Sequence, residues 1–255
     1  MYVADWRSAA DYVRHQHYDR AGFAWEIVRR SDDYWRDYER VARMAPTDAA
    51  DVDADRFAQR WGLRFGADPT LDIEQQPIFW LPRALATTLQ VQPARQDLAF
   101  DPLDLDQTFS DAARDGNDVI IRRRSVRHHL HLDGYQGGAM AIVLPLDRLF
   151  ERRVLAALRL WRALRGLNPG ADPAPLSRYA RDQLVLVIRL IDAEHSGASE
   201  RDMARFILNT LARTRREWIA SEVRARLKRL LRRGHILLEG GYLRLLNPPP
   251  RRPKI

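Results

Sequence analysis

Residues 199–246 read SERDMARFILNTLARTRREWIASEVRARLKRLLRRGHILLEGGYLRLL, and the reading of the C-terminal fold depends on how this stretch is divided. Ser199 can accept from the backbone N–H groups at a helix start, and Glu200 and Asp202 suit that helix's positive end. Met203, Phe206 and Ile207 then share one face at helical spacing. The pattern breaks over 208–213, and a second start follows either at Thr214, where T-R-R-E makes a capping box with Glu217, or at Ser221. Beyond that point Ile219, Val223, Leu227, Leu230 and Leu231 line one stripe. Arg224, Lys228 and Arg232 form an i, i+4, i+8 row on the other side, with Arg226, Arg229 and Arg233 beside it. Gly234 is expected to end the helix by taking φ > 0, and HILLE and YLRLL around Gly240-Gly241 read as a β-hairpin. Helix, turn, basic helix and hairpin in this order predict a winged helix-turn-helix.

The rest of the chain is long enough to support that element with its own cores. It has 255 residues, 45% of them hydrophobic, which places it among globular rather than disordered chains. There is no cysteine, so disulfides and cysteine-ligated metal sites are excluded and nothing points to secretion. No stretch approaches the ~20 apolar residues of a membrane span, and the first residues lack a signal-peptide core, so a cytoplasmic protein is expected. The charge is polarised along the chain. Residues 1–44 carry 8 basic and 8 acidic residues, residues 45–118 carry 6 against 14, and residues 119–255 carry 28 against 12. An Arg-rich C-terminal half points to a polyanion as partner, because the planar guanidinium suits phosphate and guanine edges.

Taken in order, DWRSAADYVRHQHYDRAGFAWEIVRRSDDYWRDYERVARM reads as two or three helices, with Ser31 as an N-cap before Tyr34, Trp35, Tyr38 and Val41. The aromatic residues Trp6, Tyr12, Tyr18, Trp25, Tyr34, Trp35 and Tyr38 could stack on bases, but at helical spacing they read as core. Residues 45–56, APTDAADVDADR, read as a polar linker; its alternating aspartates lack the Gly and distant Glu of a calcium loop. The runs PIFWLP, TTLQVQP, DVIIRRR, VRHHLHLDG and AMAIVLPLD are short, partly β-branched and bounded by Gly, Pro and Asp, and predict a small antiparallel sheet. His129 and His131 would share a face of one strand, yet two ligands alone make a weak metal site. No H-x-x-x-H helix, Gly-flanked Ser nucleophile or phosphate loop completes a catalytic set, so no catalytic residue, metal or cofactor is expected. LDRLFERRVLAALRLWRALRG follows as a helix with an apolar face at Leu149, Val154, Leu155, Leu158, Trp161 and Leu164. After NPGADPAP comes LSRYARDQLVLVIRLIDAEHSG, the helix expected to hold the other two of a DNA-binding trio; Tyr179, Leu184, Leu186, Val187, Leu190 and Ile191 give it an apolar side. The tail NPPPRRPKI cannot be helical and is expected to be mobile. The expected class is therefore α+β, mainly helical. It comprises an N-terminal helical module (1–65), a β-rich region (66–145), a helical domain ending in the winged helix-turn-helix (146–247) and a tail (248–255).

In combination these segments resemble a known family, the regulators of proteobacterial integrative and conjugative elements that control excision and transfer. PLDRLFERRVLAALRLWRALRG, the helix ending DAEHSGAS, RDMA, the Trp218 region and VRARLKRLLRRGHILLEGGYLRLL follow the order of that family's regulatory domain, with DGNDVIIRRRSVRHHLHLDG and AMAIVLPLD similar to its N-terminal portion. DWRSAADY, DRAGFAWEIVRR and DYWRDYERV resemble a second, separate domain found in the full-length members. The resemblance implies a transcriptional activator of excision genes, whereas single-domain relatives act as antiactivators by binding the activator. Asn209 stands where the family pattern has Gly, and Asn also tolerates φ > 0.

Three functions compete on the sequence. In the first, the chain binds double-stranded DNA and activates transcription. Its basic helix enters the major groove, Arg226, Lys228, Arg229 and Arg232 hold phosphates, and one or two of Arg215, Arg216, Ser221 and Arg224 read base edges. Arg244, on the expected hairpin, touches backbone or minor groove, and RNA polymerase or an antiactivator is a further candidate partner. In the second, the helix-turn-helix surface binds another regulator instead of DNA, against which the basic surplus argues. A nuclease using the acidic middle and the histidines is the third. No heptad seam defines an oligomeric state.

Overall fold

A computed structural model of the 255-residue chain describes residues 4–43, 48–95, 97, 113–123, 126–209 and 222–249. The chain divides into two compact units, Met1–Thr47 with Ala67–Gln76 and Leu176–Leu245, and Asp48–Gly66 with Pro77–Pro175 and Leu246–Ile255. The α+β, mainly helical class expected from the sequence is the class observed.

The first unit is helical. A 3-10 helix, Ala10–His17, leads to α1 (Arg20–Val28) and α2 (Asp32–Ala42). The long α5 (Arg178–His195), α6 (Glu200–Ile207) and α7 (Glu222–Ile236) follow from the C-terminal part. Polar side chains start the helices where their sequences suggest. Asp19 accepts from the Gly22 N–H, Ser31 from Tyr34, Ser177 from Ala180 and Ser199 from Asp202. Each cap satisfies an otherwise orphaned donor and is worth about 1 kcal/mol. Trp6, Tyr12, Tyr18, Trp25 and Tyr34 are buried, as the core reading requires, while Trp35 and Tyr38 are half-buried.

Not everything buried there is apolar. Glu26 is fully buried on α1, with Oε2 2.5 Å from Arg30 Nη1 and 3.2 Å from His15 Nε2, and Oε1 3.3 Å from Arg29 Nη1. Arg30 reaches on to α5, where its Nε and Nη2 donate to the two carboxylate oxygens of Asp192 at 2.6 and 2.9 Å. Tyr12 donates its hydroxyl to the same carboxylate at 2.7 Å. Burial alone would raise the Glu26 carboxyl pKa, but the Arg30 charge, the His15 hydrogen bond and the Arg29 charge outweigh it and hold it below the ordinary carboxylate range.

The second unit contains α3 (Asp48–Trp61), a five-stranded sheet and α4 (Phe150–Leu164). The strands are β1 (Leu89–Pro93), β2 (Ala113–Asp115), β3 (Asp118–Arg123), β4 (Val126–Leu132) and β5 (Met140–Val143), in the order β2-β3-β4-β1-β5. Leu89, Val91, Val119, Ile121, Leu130 and Leu132 face Ala156, Leu160 and Ala163 of α4.

Seven expectations are corrected. The 45–56 segment is not simply a linker, because Asp48 onward is α3: Phe57 and Trp61 lie one turn apart and are both buried, and the intervening residues are rich in good helix formers. The sheet is mixed rather than antiparallel. β4 and β5 are joined by 133–139, too long for a tight hairpin, and β1 lies between them, parallel to β4 and antiparallel to β5. PIFWLP contributes only the isolated Leu63–Trp80 bridge, since prolines at both ends remove ladder donors. α4 turns its small-residue side to the sheet, and Val154, Leu155, Leu158 and Trp161, expected as core, are exposed. On α5, Tyr179 is exposed rather than core.

The sixth correction concerns the wing, which is not a hairpin. α7 runs through Gly234 to Ile236, a π-type turn spans Leu237–Gly241, and α8 (Tyr242–Leu246) continues. Gly240 takes φ 101° at the break, and a Cβ on Gly241 would come within 2.5 Å of the Ile236 carbonyl oxygen. The glycine pair therefore serves a helix break with buried Leu237 and Tyr242 on either side. Gly234 serves close packing instead of termination: a Cβ there would lie 3.3 Å from Ile191 Cγ1 of α5.

Two outcomes follow for this unit. Gly234→Val forces α7 away from Ile191 and Val187, and urea unfolding should show a loss of about 1–3 kcal/mol. Glu26→Gln removes the one carboxylate charge between Arg29, Arg30 and His15, while Arg30 keeps Asp192 and Arg29 keeps the Thr70 carbonyl, and breaking this buried network should cost about 3–5 kcal/mol at neutral pH. The Glu26 pKa is depressed on folding, so its contribution is present above its unfolded pKa of about 4.3 and fades as pH falls below that. Unfolding measured from pH 6 to pH 3 should therefore decline less steeply in Glu26→Gln than in the parent.

Candidate nucleic-acid interface

α7 owes its two-sidedness to the spacing read in the sequence. Leu227, Leu230 and Gly234 are buried, while Arg226, Lys228, Arg229, Arg232 and Arg233 are exposed. The exposed cations fall in two rows, Arg226-Arg229-Arg233 and Lys228-Arg232, and Glu222 is the helix's one acidic residue. Arg224 continues the second row toward the helix start, with its Nε 3.7 Å from Glu200 Oε2 on α6 and about a third of its side chain exposed. At the far end His235 Nε2 lies 2.8 Å from Glu194 Oε2 of α5. α5, α6 and α7 pack against one another, so the basic face is carried on a three-helix core.

This arrangement presents five solvent-facing cations along about 10 Å of one helix, from Arg226 to Arg233, at 1.5 Å per residue. Charges this close repel one another, and a polyanion relieves that repulsion while releasing its own counterions. Arg226, Lys228, Arg229 and Arg232 are thus together on one surface, with Arg224 partly shielded at its edge. Arg244 is exposed too, but on α8 rather than on a hairpin. Arg215, Arg216 and Ser221 lie outside the described residues, as does the choice between Thr214 and Ser221 as helix start. Arg233 completes the first row, and its signal was its spacing of four from Arg229. A second basic feature is the β3–β4 pair, where exposed Arg122 and Arg123 end β3 and Arg122 stands opposite Arg127; the run RRR at 122–124 signals it.

The turn that follows α6 needs the left-handed conformation at Asn209, whose φ is 52°. It is the one non-glycine residue with positive φ among those described, consistent with the tolerance of Asn for that region. His131, on β4 of the second unit and not on this surface, is held by its neighbours. His131 Nδ1 lies 3.1 Å from Asp118 Oδ1, and Arg64 donates from Nε to Asp118 Oδ2 at 2.9 Å. Among the described residues no three His, Asp or Glu are grouped to hold a metal ion, and no helix is long and apolar enough to cross a membrane.

Comparison with known families fits this geometry. Residues 5–66 match the family model described as "Proteobacterial transcriptional regulator-like domain", and residues 143–247 match the one described as "T6SS, Transcription factor, DNA binding domain". The second match contains α4 to α8, including the basic helix. Both matched families are regulatory rather than enzymatic in description, and together they support a DNA-binding transcriptional regulator. No curated protein matches the chain.

Replacing Asn209 tests the turn beside the interface. Asn209→Gly should leave thermal stability unchanged or slightly raised, whereas Asn209→Val should lower unfolding free energy by about 1–2 kcal/mol, the cost of a β-branched residue in the left-handed region. Paired thermal melts of the two variants check this.

Proposed function

We propose that the protein is a transcriptional activator that binds double-stranded DNA through the exposed face of α7. The observation that carries this reading is the pair of cationic rows, Arg226-Arg229-Arg233 and Lys228-Arg232, on a helix held by α5 and α6 within the stretch that matches a transcription-factor DNA-binding domain. In this reading Arg226, Lys228, Arg229 and Arg232 hold phosphates, Arg224 with Arg215, Arg216 or Ser221 supplies base contacts, and Arg244 adds a backbone contact. The division into a regulator-like module (1–65), a β-rich region (66–145) and a DNA-reading part (146–247) is the proposed functional division, with the tail adding a nonspecific phosphate contact. The protein acts in the cytoplasm, with RNA polymerase as the partner of activation.

The genes it controls are proposed to be the excision and transfer genes of a mobile conjugative element, on the resemblance of the C-terminal segments to regulators of such elements. The description of the matched DNA-binding family names T6SS instead, so genome-wide chromatin capture of the protein is the measurement that separates these targets. A role as a protein-binding antiactivator fits the basic face less well, because an unneutralised cluster of five cations suits a polyanion better than an ordinary protein surface.

Fluorescence anisotropy with captured promoter DNA gives the direct test. Binding should weaken steeply with salt, and each of Arg226→Ala, Lys228→Ala and Arg229→Ala should reduce the log–log salt slope by about 1. Arg226→Glu combined with Arg229→Glu should reduce affinity at least about tenfold at low salt. Unchanged binding in that double variant removes α7 as the DNA-binding surface.

A further inference from the structure

The layer between α4 and the sheet holds a second cationic feature, separate in kind from the exposed rows of α7. β4 turns alternate residues toward α4, and His128 shares that side with Leu130 and Leu132 of the core. On α4, Arg152 and Arg159 lie on the stripe that carries Ala156 and Ala163, the residues packed on the sheet, at spacings of four, three and four. All three polar side chains therefore enter one apolar layer. His128 is 6% exposed and its Nε2 has no hydrogen-bond partner. Arg159 Nε and Arg152 Nη1 are likewise withdrawn from solvent with no acceptor. Among the described residues the acidic neighbour of Arg159 is Asp172, whose Oδ1 is 3.6 Å from Nη1 and leaves Nε unmet.

Withdrawn donors without acceptors are costly, and the Arg159 guanidinium acting on a buried imidazole adds to the cost. Burial holds the His128 imidazole down at a pKa of about 4, with the Arg159 charge and His129 acting in the same direction. The charges would repel any metal cation. What they lack is an acceptor carrying more than one negative charge, with oxygens for several donors at once.

We propose that His128, Arg152 and Arg159 form a binding site for a small phosphate-type oxyanion between β4 and α4. The anion accepts from Arg159 Nε, Arg152 Nη1 and the His128 Nε2–H, and its charge favours the imidazolium. The same chemistry has two sources, a free phosphorylated ligand and a DNA backbone phosphate. The solvent-withdrawn nitrogens favour the free ligand, since a duplex reaches them only if the layer opens.

The test uses the full-length protein with 15N-labelled histidine, titrated with inorganic phosphate in one arm and with a short DNA duplex in the other, against chloride at matched ionic strength. Long-range proton–nitrogen correlation of the His128 ring reads the site. Phosphate should raise its titration midpoint by about one unit or more, with calorimetry at pH 7 giving one phosphate per chain. Arg159→Gln and Arg152→Gln should each remove most of the rise, and Arg159→Lys, which keeps the charge, serves if the glutamine variant does not fold. A response to phosphate assigns a free ligand, and a response to the duplex alone assigns the backbone; either supports an oxyanion site. No response in either arm, or an undiminished one in a folded Arg152→Gln, Arg159→Gln double variant, overturns it. Because the phosphate arm contains no DNA, its outcome is independent of whether α7 binds DNA.

Discussion

The buried ion network of Glu26, Arg30 and Asp192 is the constraint on which the first unit depends. Glu26 is surrounded by His15, Arg29 and Arg30 with no exposure to water, and Arg30 spans from that carboxylate to Asp192 on α5. Removing charges from water costs several kcal/mol per ion, and pairing roughly recovers it, so such a network adds little net stability over apolar packing. Its effect is on alignment. A shift of α1 along α5 by one turn carries Glu26 and Arg30 together and separates Arg30 from Asp192, which leaves the Asp192 carboxylate without its cation. An apolar contact surface slides at much smaller cost, and α1 and α5 both have ample apolar surface.

Arginine has two opposite uses in this unit. Arg29, Arg30 and Arg189 are buried and satisfied: Arg189 donates to the Trp6 carbonyl from Nε and Nη2 at 3.2 and 3.0 Å. Arg226, Arg229, Arg232 and Arg233 face solvent. The guanidinium suits both, since its planar fork satisfies several acceptors at once in the interior and grips phosphate oxygens at the surface. Net charge along the chain cannot separate the two uses; the local apolar pattern can. Arg29 and Arg30 follow directly on the apolar run of α1 and Arg189 lies within that of α5, while the exposed ones recur at three- and four-residue spacing opposite a Leu stripe.

Local devices were legible for that reason. Ser31 and Ser199 start helices because a short hydroxyl beside a helix's free N–H groups has one obvious use, and the α7 rows follow from helical spacing alone. What resisted reading depends on partners distant in sequence or on one residue type with two uses. Gly240-Gly241 suits a tight hairpin and a helix break equally, because both need φ > 0 or close backbone approach; buried Leu237 and Tyr242 decide for the break. Gly234 reads as a C-cap but is a contact with Ile191, which no local pattern reveals. The place of β1 between β4 and β5, and the Arg30–Asp192 pair across 162 positions, are likewise invisible to spacing. Of the interface, the described cations were legible, while the candidate base readers Arg215, Arg216 and Ser221 lie outside the described residues.

The matched family stretches and the compact units do not coincide, and the difference bears on how the N-terminal part acts. Residues 5–66 supply α1 and α2 to the first unit and α3 to the second, while 143–247 supply α4 to the second and α5 to α7 to the first. α1 is buried along nearly its whole length against partners that include α5, so it has the packing of a core helix and not of a domain docked through a surface patch. An interface between separate domains is normally more polar and wetter than this, which is what permits relative motion. Here the polar contacts are paired and converge on Asp192, whose helix also packs on α6 and α7. Displacing α1 breaks the Arg30–Asp192 pair, and Asp192 belongs to the helix on which α6 and α7 pack.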